Sequence, residues 1–242
     1  MIQLSNITKK VKKRILLDDV TLRIPSGGVY GLLGANGAGK STLISILAGV
    51  TKPTSGHFSI NGYDSRKEFR SLKGEIGYVP QEIALWEDLS VMENLELWSR
   101  FTGKKIAKDK RKDICEAVRL KDRWNDRVAD LSGGMKRKLN IAAALLHDPP
   151  VLLMDEPTVG IDLQSKLEIN HFINKLASEG KTIVYITHDI NEIMQLCNRI
   201  GVLSNSRLIY DGTLEEAAVK WNDPQKELDM ENVLYKLLGS VT

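Results

Sequence analysis

The sequence predicts an α/β fold, a mostly parallel sheet with helices on its faces, interrupted by a helical lobe. Three observations predict it. A short apolar run, Val29 to Leu33, has the pattern of a buried strand and leads straight into a glycine-rich loop and a helical stretch. After Pro149-Pro150, strand-like and helix-like segments alternate, as they do when helices cross over between parallel strands. From about Glu82 to His147 strand-like runs vanish, and helical spacing and charge take their place.

The elements follow in order. Ile2 to Ile7 alternates, and so does Val20 to Ile24, with Pro25-Ser26-Gly27-Gly28 turning the chain. The run Val29 to Leu33 comes next, then helical spacing at Leu43 to Ala48. The lobe carries helical patterns at Val91 to Trp98, Ile114 to Leu120 and Met135 to Leu146. Beyond it come a strand at Val151 to Met154, a helix at Leu163 to Leu176, a strand at Thr182 to Thr187, a helix at Ile190 to Leu196 and a strand at Ile200 to Leu203. The tail from Thr213 to Thr242 reads as helical, with Val233, Leu234, Leu237 and Leu238 on one apolar face. The organisation expected is a core formed by residues 1–81 and 148–212, a helical lobe at 82–147 and a tail at 213–242.

Bulk properties narrow the function. A hydrophobic fraction of 42% with 27% charged residues is that of an ordinary folded domain and argues against disorder. A net charge of +3 is too mild to imply a nucleic-acid partner. The basic runs Lys9 to Arg14 and Lys104 to Lys112 read as solvated faces. Cys115 and Cys197 lie outside any metal-ligand spacing and read as reduced, buried thiols. No apolar stretch approaches the roughly 18 to 20 residues that span a bilayer, and no signal-peptide apolar region opens the chain, so a membrane role requires a partner chain.

The chemistry concentrates in two places. Gly34-Ala35-Asn36-Gly37-Ala38-Gly39-Lys40-Ser41 fits G-x-x-x-x-G-K-[ST] between an expected strand and an expected helix. Glycines let backbone N–H groups converge on a phosphate, and the helix N-terminus adds positive potential. Lys40 is expected to reach the β- and γ-phosphates of ATP, Ser41 to ligate Mg²⁺, and Thr42 to add a phosphate donor. The apolar strand Val151 to Met154 ends in Asp155-Glu156, and ligands of parallel sheets bind at the carboxyl ends of strands. Adjacent strand residues point oppositely, so the two carboxylates should differ in role: Asp155 in the Mg²⁺ shell, Glu156 as general base toward the attacking water.

With these in place, Leu131-Ser132-Gly133-Gly134-Met135 resembles the signature motif of the ABC (ATP-binding cassette) ATPases, which ordinarily reads Leu-Ser-Gly-Gly-Gln. Gln81 after Tyr78-Val79-Pro80 resembles that family's Q-loop glutamine, Gly160-Ile161-Asp162 its D-loop, and His188 in Ile186-Thr187-His188-Asp189 its switch histidine. Six elements in the family's order, over the whole chain, carry the resemblance. It implies a P-loop NTPase core with an antiparallel β subdomain and an inserted helical lobe. It also implies a head-to-tail pair of cassettes, most simply two copies of this chain, around two ATP molecules. Ser132, Gly133, Gly134 and Met135 would then face the ATP of the partner cassette, with Asp162 beside them. Gln81 would join Ser41 and Asp155 around Mg²⁺ and link the γ-phosphate to the lobe, and His188 would bind the γ-phosphate and orient Glu156. His57, His147 and His171 are assigned no function.

Two positions depart from the family pattern. Val11 stands where the family commonly places an aromatic residue that stacks on adenine, so a stacking contribution of roughly 1 to 3 kcal/mol should be missing, and weak base selectivity, with GTP accepted, is expected. Met135 replaces the signature glutamine, and activity should survive because the phosphate contacts come from Ser132 and backbone. The variant Leu-Ser-Gly-Gly-Met-Lys-Arg, Thr158 to Asp162 and the tail segment Leu228 to Leu234 resemble the bacterial exporter branch that handles antibiotics, peptides or other toxic compounds. The expected function is therefore the ATP-hydrolysing subunit of an exporter, in the cytoplasm and peripheral on the inner face of the membrane, with an integral membrane permease as a separate partner. A soluble ABC ATPase acting on ribosomes or nucleic acid is the alternative, disfavoured by a single set of motifs. A non-hydrolysing regulatory cassette is disfavoured by intact Lys40, Asp155, Glu156 and His188.

Overall fold

A computed structural model describes residues 1–221 and 230–239. Leu228 and Asp229 of the tail segment lie outside the described residues. Ten strands and nine α-helices run in the order β1 (Ile2–Val11), β2 (Arg14–Ile24), β3 (Gly28–Gly34), α1 (Lys40–Leu47), β4 (Ser55–Ile60), β5 (Tyr63–Asp64), α2 (Phe69–Gly74) and β6 (Ile76–Val79) among the described residues. There follow α3 (Val91–Phe101), α4 (Lys108–Ala117), α5 (Gly133–Leu145), β7 (Val151–Asp155), α6 (Leu163–Ser178), β8 (Thr182–Ile186), α7 (Ile190–Leu196), β9 (Arg199–Ser204), β10 (Arg207–Thr213), α8 (Leu214–Trp221) and α9 (Met230–Gly239).

The larger sheet has the order β10-β9-β3-β8-β7-β6 and is parallel from β9 to β6, with β10 antiparallel at one edge. Its central strands are apolar on both faces, and side-chain alternation sorts them into two cores. Tyr30, Leu32, Leu153, Val184 and Ile186 join the cluster that includes Leu43 and Leu47 of α1. Val29, Leu33, Leu152, Met154, Ile183 and Tyr185 face the other way, onto Ile141 of α5 and Ile169 and Ile173 of α6. The smaller antiparallel sheet, β2-β1-β4-β5, packs into the first of these cores through Ile2, Leu4, Val20 and Phe58.

Helices α3 to α5 share a third core of Val91, Leu95, Cys115, Leu139, Ala142 and Leu146. Helix α3 opens on a capping box: the Ser90 hydroxyl accepts from Glu93 N at 3.2 Å, and the Glu93 carboxylate accepts from Ser90 N at 2.8 Å. In the tail, Val233, Leu234 and Leu237 of α9 are buried, the face their spacing predicts. Both cysteines are free and buried. Among the described residues no helix is long and apolar enough to cross a membrane.

The elements differ from sequence expectation at identifiable places. The basic run Lys9 to Arg14 is the tip of a β1–β2 hairpin, so β1 and β2 are longer than the alternating cores Ile2 to Ile7 and Val20 to Ile24. Helix α4 begins inside the second basic stretch and ends before Val118, where Arg119 takes a left-handed φ of 60°. Strands β4, β5, β6 and β10 carry no alternation long enough to read. Strand β6 has four residues, and its Gly77 lies against the Ala144 carbonyl, where a Cβ would stand only 2.5 Å from that oxygen.

Candidate functional site

The carboxyl ends of four neighbouring strands, β3, β8, β7 and β6, meet at one edge of the larger sheet. The register aligns them: Leu32 pairs with Ile186, Ile186 with Asp155, and Met154 with Val79. Each strand therefore delivers its following residues to the same place. These are the loop Gly34–Gly39 after β3, Thr187-His188-Asp189 after β8, Glu156 after β7, and Pro80-Gln81 after β6.

The loop leads into α1 with Gly39 at φ 109°, a conformation L side chains rarely adopt, and a Cβ there would sit 2.5 Å from the Leu16 carbonyl oxygen. Ala35, Asn36, Gly37 and Ser41 are exposed, Thr42 is half-buried, and Ala38 is buried beneath the loop. Lys40 is buried, and its ammonium donates to the carbonyls of Gly34 at 2.7 Å and Ala35 at 3.1 Å, which holds it across the loop. Burial pushes the Lys40 pKa down, opposed by the negative charges of Glu156 and Asp155.

Asp155 is also buried. Burial raises its pKa, while a hydrogen bond from Ser41 and the charge of Lys40 lower it. One of its oxygens, Oδ1, is buried without a hydrogen-bond partner among the described residues. A carboxylate oxygen left open beside a serine hydroxyl suits Mg²⁺, a hard cation that takes few protein oxygens and completes its shell with water and substrate phosphates. Among the described residues no group of three or more His, Cys, Asp or Glu forms a cage of its own for a metal.

Glu156 is where the expectation from strand alternation is corrected. The two carboxylates do diverge, but strand alternation is not the cause. Strand β7 ends at Asp155, and Glu156 turns out of it with a left-handed φ of 48° while its N–H donates to the Ile186 carbonyl at 3.0 Å. Such a conformation in a non-glycine residue is strained and collects at functional sites. The turn places the Glu156 carboxylate between two partners. Its Oε2 accepts from Gln81 Nε2 at 2.9 Å, and its Oε1 lies 3.0 Å from His188 Nδ1. Three residues from three separate strand ends thus meet at one carboxylate.

The remaining candidates lie apart from this cluster. Ser132 caps α5, its hydroxyl accepting from Met135 N at 3.3 Å, and Ser132 and Gly133 are exposed. Asp162 caps α6 through Ser165, with Oδ1 to N at 2.8 Å and Oδ2 to Oγ at 2.7 Å. The two helix starts touch, because a Cβ on Gly134 would be 2.0 Å from Ser165 Oγ. Val11, at the hairpin tip, is 47% exposed and pairs with Arg14 across the turn. His147 is part-buried, with a ring nitrogen 3.0 Å from the Ile76 carbonyl, a structural contact.

Sequence reasoning missed four residues that support the site. Arg14 reaches back over the loop, with Nη2 3.8 Å from the place a Gly37 Cβ would occupy, and only the hairpin pairing could have signalled it. The loop carrying His188 is braced by buried Glu192, which accepts from Thr187 Oγ1 at 2.6 Å, and by Lys166, which pairs with Asp189. Arg137, buried on α5, donates to the carbonyls of Pro80 and Gln81.

Residues 17–159 match the family model described as ABC transporter. The linearmycin resistance ATP-binding protein of Bacillus subtilis (strain 168) is 41% identical over 215 residues, 88% of this chain and 69% of that protein. The Nod factor export ATP-binding protein I of Cupriavidus metallidurans is 38% identical over 218 residues, 89% of this chain and 72% of that protein. Among solved structures, an ATP-binding subunit of an ABC transporter superposes with a TM-score of 0.85 at 27% identity, covering 98% of this chain and 99% of that one. A dimeric, post-hydrolysis ATP-binding cassette bound to ADP and Pi superposes with a TM-score of 0.78 at 30% identity, covering 88% and 98%.

Proposed function

Because this chain belongs to the ABC transporter family and is an ATP-hydrolysing ATP-binding domain, we propose that it is the motor of an exporter, driving a separate membrane-spanning permease from the cytoplasmic face. The observation that carries the reading is the meeting of Gln81, Glu156 and His188 at the carboxylate of Glu156, beside the loop that holds Lys40 and Ser41.

The exposed backbone of residues 35–37 and the start of α1 receive the phosphates of ATP. Lys40 exchanges its bonds to the Gly34 and Ala35 carbonyls for β- and γ-phosphate oxygens, a short move because the ammonium already lies over the loop. Ser41 and Asp155 would hold Mg²⁺, with Gln81 as a further oxygen donor, and the ion would supply charge neutralisation to the substrate's phosphates. Glu156 takes the proton of the attacking water as the γ-phosphoryl group passes to that water, giving ADP and inorganic phosphate. His188 and Gln81 hold the Glu156 carboxylate from either side, so its orientation reports on both neighbours.

Two copies are proposed to associate head to tail, Ser132 to Met135 of each facing the nucleotide of the other, with Asp162 at the contact. The dimeric cassette among the structural neighbours supports this arrangement. The relatives named for linearmycin resistance and Nod factor export support export over uptake. Val11 offers the base no aromatic face, so GTP should be accepted.

The test has two arms. Glu156→Gln should lower ATP turnover by about 10²- to 10⁴-fold while nucleotide binding persists; unchanged turnover removes Glu156 from its role. Gentle solubilisation of membranes containing the tagged chain should recover a polytopic membrane protein in equal amount. Recovery of ribosomes or nucleic acid in its place would favour the soluble ATPase reading.

A further inference from the structure

Arg137 is 5% exposed, and no carboxylate pairs with it among the described residues. A buried cation without a counter-ion is costly, so its contacts require a reason. Among the described residues its hydrogen bonds go to main-chain carbonyls: Nη1 donates to Pro80 O at 3.1 Å and to Gln81 O at 2.8 Å. Strand β6 ends at Val79, so these two carbonyls have left the sheet and lack ladder partners. One turn along the same face of α5, Asn140 Oδ1 accepts from Ala84 N at 3.3 Å. Helix α5 therefore grips the segment 80–84 at both ends.

The grip is incomplete. Arg137 Nε and Asn140 Nδ2 are buried with no partner among the described residues. A fold selected only for stability would fill this place with apolar side chains at lower cost, and unsatisfied buried groups of this kind call for a functional account. The segment it holds offers one, because Gln81 stands in it with its side-chain amide on the Glu156 carboxylate at 2.9 Å. About one turn before Arg137, α5 begins at Gly133, capped by Ser132.

We propose that Arg137 is a positioning residue that ties the signature helix α5 to the main chain of Gln81, so that turnover at the chain's own Glu156 depends on where α5 sits. The inference rests on the ATPase reading given above. In that reading the start of α5 meets the partner's nucleotide. Movement of α5 then carries the Gln81 carbonyl with it, and the Gln81 amide either meets or leaves Glu156. One cassette thereby senses the nucleotide held against its signature loop through two hydrogen bonds from a single guanidinium.

The test compares Arg137→Met, which keeps an apolar stem and removes the donors, with Arg137→Lys, which keeps the charge and can reach one carbonyl. In Arg137→Met, kcat should fall about tenfold with KM for ATP unchanged, and Arg137→Lys should recover part of the loss. In a Gln81→Ala background the Arg137→Met change should cost nothing more, because the two residues act as one unit. Amide hydrogen exchange without nucleotide should speed up over residues 81–85 in Arg137→Met while β7 and β8 keep their protection. Multiplying losses in the double variant, an unchanged kcat, or a uniform loss of protection would each overturn the proposal. Should Arg137→Met fail to fold, Arg137→Lys carries the same comparisons. The exchange readout needs no turnover, so it stands or falls separately from the ATPase reading, which Glu156→Gln tests.

Discussion

At the scale of single residues, the site is built from atoms with little room. Gly134, in the first turn of α5, lies so close to α6 that an added Cβ would meet Ser165 Oγ at 2.0 Å and Asp162 Oδ2 at 3.1 Å. Ser165 cannot yield easily, because both its N–H and its hydroxyl are engaged by Asp162. Gly134→Ala should therefore cost about 1 to 3 kcal/mol through overpacking. It should lower the urea midpoint with an unchanged slope; a midpoint equal to the parent's would show that the two helix starts part freely. Gly134 was legible as part of a Ser-Gly-Gly motif, but the reason for a glycine was not, since Ser165 lies 31 positions along the chain and only the packing of α5 on α6 brings it near. The same holds for Glu156. Its place after an apolar strand marks it as an active carboxylate, yet its left-handed φ and its two partners, Gln81 and His188, belong to three strand ends at once.

At the scale of elements, the helical lobe and the core are tied by charge. Glu168 on α6 accepts from Lys138 on α5 and from Gln164 at 3.0 Å, and pairs with Arg119, beyond the end of α4, at 3.2 Å. The Lys138 hydrogen bond, followed by that from Gln164, holds the Glu168 carboxyl below its ordinary pKa. The sign follows by linkage: a carboxyl depressed in the folded state adds stability above its unfolded pKa and loses it as pH falls through the lower folded value. Glu168→Gln should therefore flatten the acid side of a Tm-against-pH profile, from the ordinary carboxylate range downward, while leaving the neutral side parallel to the parent. An unchanged acid limb would mean that the tie contributes nothing. Helix existence was legible here from 3.6-residue spacing, whereas the start of α4 was not. Lys104 to Lys112 reads as a solvated run, yet within it Arg111 is part-buried and pairs with Glu96 of α3, and the part-buried Ile114 and buried Cys115 supply the apolar anchor of that helix.

At the scale of the whole molecule, two separate sheets have to keep one loop in place. The β9–β10 turn reaches β2, where Asp18 N donates to Ser206 O at 2.8 Å, Ser206 Oγ donates to Ile15 O at 3.1 Å, and Arg207 pairs with Asp18 at 2.7 Å. The hairpin so anchored brings Leu16 and Arg14 against the phosphate loop, while the signature segment lies at the start of α5 among contacts to α6. If the signature segment faces a partner's nucleotide, as proposed, two chains must meet head to tail for it to do so. The Glu156→Gln chain should run as a monomer without nucleotide and as a dimer with ATP and Mg²⁺ in size-exclusion chromatography with light scattering; a monomer under both conditions would count against that association.

What the sequence by itself determined is whatever a local run of residues encodes: the phosphate loop before a helix, the acidic end of an apolar strand, the order of the motifs and the α/β rhythm. Backbone conformation and side-chain period are set by near neighbours in the chain, so these features can be read without coordinates. Only the tertiary structure decided the rest: that Gln81, Glu156 and His188 share one carboxylate, that Asp155 keeps an unpartnered oxygen beside Ser41, and that Arg137 grips the Gln81 main chain. Those contacts join residues 32 to 114 positions apart, and sheet register and helix packing, which no local run encodes, are what bring them within hydrogen-bond distance.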